Sequence, residues 1–164
     1  MLTLIDSATG TEIKHRVGQD FILAGKATFT LSDPHGDHRT FRVVRKEAGN
    51  GYPEAFFVSL LSGPDNESDY TYLGKLDPFT GQVVPTAKSG WTQVTRPGHV
   101  VALNRVLARV WCDDHEAFER AGWTLRHAMK CGRCGRTLTH PDSIASGIGP
   151  ECAKRTDSGK CSTK

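Results

Sequence analysis

The chain contains no run of 18 or more apolar residues, so it has no candidate for a helix that crosses a membrane. Its opening, MLTLIDSATGTEIKHR, lacks the basic start and continuous apolar stretch of a secretory signal. No G-x-x-x-x-G-K-[ST], G-x-S-x-G or H-E-x-x-H occurs, so phosphate-loop, serine-hydrolase and zincin chemistry have no motif to rest on. Internal repeats and low-complexity linkers are also missing. Cysteine is scarce, with five in 164 residues, and three of the five fall between residues 131 and 152. Without a secretory signal the expected location is the cytoplasm, where clustered thiols more often hold metal than pair as disulfides.

What is present is an ordinary globular composition. At 37% hydrophobic and 24% charged residues, the chain is sized for one domain, or a small domain with a minidomain. The formal net charge of +3 is unevenly spread. From Arg126 onward there are eight Lys/Arg against three Asp/Glu, or +5, whereas the preceding residues carry 13 against 15, or −2. A basic C-terminal segment on a slightly acidic body permits contact with nucleic acid or an acidic partner; ordinary solubility explains it equally well.

The body reads as strands. FILAGKATFTLS (21–32) contains an alternating piece with Ala27, Phe29 and Leu31 on one side, and turn residues break it at Asp33-Pro-His-Gly-Asp. RTFRVVRK (39–46), EAFFVSLL (54–61), DYTYLGKL (69–76) and a weaker stretch near Gln82 to Thr86 follow. Short strands joined by Gly, Pro, Asp and Asn loops predict an antiparallel meander or small open barrel. The period then changes. Val100, Leu103, Val106, Leu107, Val110 and Trp111 form one helical stripe, which predicts a helix near 96–112 packed across the sheet. A second, shorter helix is expected from Asp114 to Ala121, stopped by Gly122.

The stretch CGRCGRTLTHPDSIASGIGPEC (131–152) carries the chemistry. A C-x-x-C turn lets two sulfurs reach one ion, and the glycines of Cys131-Gly-Arg-Cys134-Gly-Arg let the backbone fold around it. Cys152 follows Pro150, a favoured first helical position, and a thiolate in a first helical turn is stabilised by free N–H groups. A knuckle followed by a ligand on a helix start describes a treble-clef-like zinc finger with Cys131, Cys134 and Cys152 as ligands. Three candidates exist for the fourth. His127 would be carried to the metal if WTLRHAMK is a short strand leading into the knuckle; Cys161 and His140 are the alternatives. Cys112 reads as a buried thiol of the preceding helix.

These residues also carry a resemblance. The segment from Cys131 to Lys154 resembles a small domain of uncharacterised function found in tailed bacteriophages and actinobacteria, with a pattern near C-x-x-C-G-R-x-L-T-x-P-x-S-I-x-x-G-I-G-P-x-C. LSGPDNESDYTYLG (61–74) is similar to an upstream segment of members of this length. The resemblance implies a histidine four residues before the first cysteine, which His127 matches, and it implies a phage-type protein acting in the host cytoplasm. It transfers no reaction.

A thiolate-rich zinc is a poor Lewis acid, so the metal reads as structural. Glu151 beside Cys152 resembles a deaminase pairing, but the order of the motif is reversed. Asp65, Glu67 and Asp69 lack the glycine and glutamate of a calcium loop and read as a polar hairpin. Gly147-Ile-Gly149-Pro150 could cradle a phosphate, but the same glycines serve to bring Cys152 to the metal. Tyr70, Tyr72, Phe56 and Phe57 read first as cross-strand packing and second as a stacking platform for single-stranded nucleic acid.

The expected fold is α+β: a small antiparallel sheet covered by one helix, with a C-terminal treble-clef-like zinc finger. The expected division is a β-rich body at 1–124, the finger at 125–156 and a flexible tail at 157–164. The expected function is non-enzymatic: an accessory protein that holds structural Zn2+ and binds nucleic acid or a nucleic-acid-handling protein. Arg126, Lys130, Arg133, Arg136, Lys154 and Arg155 would make the contacts. No membrane and no small-molecule substrate is expected. The alternatives are an anti-CRISPR-like inhibitor of a host defence nuclease and, less favoured, a zinc hydrolase or deaminase.

Overall fold

The computed structural model describes residues 17–89 and 97–157. Its frame is a six-stranded, wholly antiparallel sheet curled into a half-barrel. The strands are β1 (Lys26–Ser32), β2 (His38–Lys46), β3 (Ala55–Leu61), β4 (Tyr70–Leu76), β5 (Val83–Val84) and β6 (Thr124–His127), in the order β5-β4-β3-β2-β1-β6. The first five form the expected meander. Their alternation sends Ala27, Phe29, Phe41, Val43, Val58 and Leu60 into the core, while threonines and basic residues take the other face. Between Val58 and Ser59 the β3–β4 register shifts, so that Leu73 is the extra residue of a bulge, a device that bends a strand.

Two helices follow, α2 (Pro97–Trp111) and α3 (His115–Arg120), both close to their expected positions. The α2 stripe is buried as expected, with Val100, Leu103, Val106, Leu107 and Val110 in the same core as the inner sheet face. Two polar contacts fix the helix on the sheet. The Asn104 amide accepts the Val83 N–H at 2.8 Å and donates to the Val83 carbonyl at 3.1 Å, so it takes the place of a neighbouring strand for β5. Trp111 donates its indole N–H to the Pro78 carbonyl at 3.0 Å, over Gly81, where an added Cβ would lie 2.5 Å from the indole ring.

A short helix, α1 (Gln19–Ile22), precedes β1 and buries Phe21 and Ile22; β1 therefore begins at Lys26, after a turn at Gly25 with φ +118°. Beyond α3, the chain returns to the sheet. β6 pairs with β1, with Phe29 opposite His127 and Leu31 opposite Leu125, and only then enters the cysteine segment. The expected boundary at 124/125 therefore falls within a strand of the body's own sheet. Helices α4 (Pro141–Ser146) and α5 (Pro150–Asp157) complete the described chain. The expected tail, apart from Asp157, lies outside the described residues.

Candidate metal centre

The knuckle forms as its sequence requires. Cys131 leaves β6 by a turn through Cys134, and an isolated antiparallel bridge between Lys130 and Thr137 closes its base. The Gly135 N–H bonds the Cys131 carbonyl at 2.8 Å, with Gly135 at φ +77°, a conformation that glycine adopts without strain. Gly147, at φ +70°, ends α4 in the left-handed region, and Pro150 then starts α5. Cys152 thus sits in the first turn of α5. The Sγ atoms of Cys131, Cys134 and Cys152 all lie within 4.8 Å of one another. Tetrahedral zinc–thiolate bonds of about 2.3 Å place sulfurs about 3.8 Å apart, so a small inward movement brings this cluster to the geometry of a bound ion. The three cysteines form a cluster that could hold a metal ion such as zinc.

Its electrostatics suit a cation. Cys131 and Cys152 are buried and Cys134 is exposed; Cys112, expected as a buried thiol, is also exposed, one residue beyond the end of α2. Burial pushes the Cys131 thiol up, but the N–H groups of Gly149, Cys134 and Arg133, with the Cys134 side chain, outweigh it and bring the group down to about 7. The Gly149 N–H donates to Cys131 Sγ at 3.3 Å. Burial raises Cys152 to about 11, helped by the two neighbouring sulfur groups. One thiolate is thus formed near neutral pH, and its presence disfavours the next. A cation between them removes that conflict.

His127 takes a different place from the one expected. WTLRHAMK does contain a strand, but its alternation sends Leu125 and His127 inward and Arg126 outward. The His127 ring stands 5.3 Å from the Phe21 ring, Nδ1 accepts the Met129 N–H at 3.0 Å, and Nε2 lies 2.7 Å from the Ile144 carbonyl. With Nδ1 accepting, Nε2 carries the proton and donates to Ile144. Both ring nitrogens are engaged with backbone, and the ring does not join the three sulfurs. His140 is exposed at the start of α4, with Nδ1 3.6 Å from the Asp142 carboxylate. Cys161 lies outside the described residues. A tetrahedral ion needs one more donor, and no described side chain completes the cluster.

One residue had no signal in the sequence. Phe21 wedges between the two glycine-bearing segments of the module. A Cβ on Gly132 would lie 2.8 Å from its ring, and one on Gly147 would run into the ring. The Gly132 N–H donates to the Gly147 carbonyl at 2.9 Å, and the Lys26 N–H donates to the Gly132 carbonyl. These glycines therefore serve close packing of the module on α1 and β1.

The expected contact residues divide into two sets. Arg126 projects from the outward face of the sheet opposite Thr30. Lys130 reaches Glu67 of the β3–β4 loop at 3.5 Å. Arg133, Arg136, Lys154 and Arg155 are exposed on the cysteine module; Arg133 donates to the Cys152 carbonyl at 3.3 Å and Lys154 pairs with Glu151 at 3.1 Å. Asp65 accepts the Glu67 N–H and the Ser68 hydroxyl within its own loop, in the manner of a polar hairpin; these bonds hold its carboxyl below the usual carboxylate value.

Residues 125–157 match the model of a family of unknown function, DUF6011. The match covers the module with its cysteine cluster and stops short of the body, including LSGPDNESDYTYLG. No curated protein and no solved structure matches the chain. No described helix is long and apolar enough to cross a membrane.

Proposed function

We propose that residues 125–157 form a treble-clef-like zinc finger with a structural ion, and that the protein is non-enzymatic and binds nucleic acid through the finger's basic side chains. The convergence of the three sulfurs carries this reading, because an all-thiolate donor set quenches the Lewis acidity that catalysis requires. Glu151, the residue placed to act as a general acid or base, is 75% exposed and paired with Lys154, which suits solvation better than proton transfer. Arg133, Arg136 and Arg155 stand exposed around the site and supply the positive charge that phosphate contacts need.

Two measurements test this. Metal analysis of the purified chain should find one zinc per molecule, lost in Cys131→Ser. Fluorescence anisotropy with labelled nucleic acid should show binding that weakens steeply with salt and drops at least tenfold in Arg133→Glu/Arg136→Glu. Zinc without nucleic-acid binding would reject the partner and turn attention to a protein.

A further inference from the structure

The outward face of the sheet differs from an ordinary solvated surface. The strand registers define its rows. One row crosses five strands as Lys26, Val44, Phe57, Lys75 and Val84. The next carries Thr28, Arg42, Ser59 and Tyr72; beyond it Arg126, Thr30 and Thr40 form one run across three strands, and Leu61 pairs with Tyr70. No outward strand position holds a carboxylate, although four of the six strands place a basic group there: Lys26 on β1, Arg42 on β2, Lys75 on β4 and Arg126 on β6. Carboxylates lie only in the loops at the ends, where Glu54 pairs with Arg45 and Glu67 with Lys130.

The aromatic groups stand among these cations. Phe57 and Tyr72 are neighbours across β3 and β4 with ring centroids 6.0 Å apart, and both are partly exposed. Lys75 Nζ lies 5.9 Å from the Phe57 ring, and the Arg42 guanidinium lies 3.8 Å above the Tyr70 ring. Val44 and Val84, 41% and 56% exposed, extend the Phe57 row as bare apolar surface. Threonine and serine hydroxyls fill the positions between. Cross-strand packing alone explains the ring pairs but leaves the exposed valines and the one-sided charge without a cause.

We infer that this face is a binding track for single-stranded nucleic acid. Unpaired bases stack on Phe57 and Tyr72, and the phosphates run past Lys26, Lys75 and Arg126. Stacking platforms bordered by cations favour single strands, because duplex bases have no free π face to offer. The track is separate from the basic side of the cysteine module, so the inference stands or falls independently of the finger's own contacts.

The test uses the full chain, loaded with zinc, and labelled DNA and RNA of one length in single- and double-stranded form. Wild type should bind single strands at least tenfold tighter than duplex. Phe57→Ala/Tyr72→Ala should lose about tenfold or more, as removal of a stacking ring does. Lys26→Glu/Lys75→Glu, at exposed positions that spare the fold, should lose at least as much, and more at low salt. Arg105→Glu on α2 makes the same kind of charge change off this face and should leave binding within about threefold. Equal affinity for duplex, no binding by wild type at low salt, or wild-type binding by Lys26→Glu/Lys75→Glu would each overturn the inference. Loss in Arg133→Glu/Arg136→Glu alone would overturn it while supporting the finger.

Discussion

The sheet body and the cysteine module are held together by different means. The body buries a continuous core that Phe29, Phe41 and Leu60 of the sheet share with Leu103 and Leu107 of α2. The module buries Leu138 and Ile144 with Cys131 and Cys152, so half of its fully buried apolar set consists of candidate ligands. Two aliphatic side chains contribute about 1.5–3 kcal/mol each. Ordering costs about 1–2 kcal/mol per residue, and a segment of this length cannot meet it from that source. The module also leans on the body, through the β1 edge and Phe21.

The largest effect should come from removing the ligands or the ion. Structural zinc in finger peptides is worth about 10–16 kcal/mol of apparent binding free energy. Cys152→Ser, or chelation of the wild type, should therefore split melting into two steps, with the module opening well below the body. Hydrogen exchange would show it as lost protection beyond β6 while β2, β3 and β4 stay protected. A single unchanged transition after verified zinc loss would mean that packing, rather than metal, holds the module.

Next in size is the seam between the two regions. Gly147→Ala places a Cβ against Phe21 at a position with φ +70°. Left-handed strain and overpacking together should cost about 2–4 kcal/mol, read as a lower denaturant midpoint. Gly135→Ala is the informative control. Its φ is +77° but nothing lies near its added Cβ, so only the backbone strain remains, about 1–2 kcal/mol. Equal losses at the two positions would remove the Phe21 wedge from the account of the seam.

His127→Ala should be smaller again. It deletes the bond to the Ile144 carbonyl and leaves a buried acceptor unpaired, for about 2 kcal/mol. Zinc should remain at one per chain, and release of zinc would put His127 back among the ligands. The same comparison shows what the sequence could and could not disclose. Strands β1 to β4, the α2 stripe and the three cysteines are written in short-range patterns: alternation, helical period, a C-x-x-C turn and Gly-Ile-Gly-Pro before Cys152. The pairing of β6 with β1 joins residues about a hundred positions apart, and nothing local records it. The surroundings of His127 are hidden for a related reason. The alternation of WTLRHAMK is visible, but which face looks inward depends on β1. Arg126, grouped with the finger by proximity in sequence, goes to the sheet face by the same alternation. Phe21 left no local sign of its contact with two glycines more than a hundred residues later.

The smallest expected effect concerns protons, and it tests whether the cluster keeps its shape without metal. From an ordinary value of 9.0, Cys131 is lowered to about 7 by the Gly149, Cys134 and Arg133 N–H groups acting against burial, and Cys152 is raised to about 11 by burial and its sulfur neighbours. In the metal-free fold the depressed Cys131 adds stability that is present above 9.0 and lost as pH falls through about 7. The raised Cys152 adds stability that is present below 9.0 and lost as pH rises through about 11. Zinc requires all three as thiolates, so its uptake must expel whatever protons remain. Calorimetric titration in buffers of different ionisation heat counts them. From pH 6 to pH 8 the number released should fall by about one, because Cys131 is already ionised at the higher pH. A count that does not change over this range would mean that the N–H groups around Cys131 assemble only when the ion arrives.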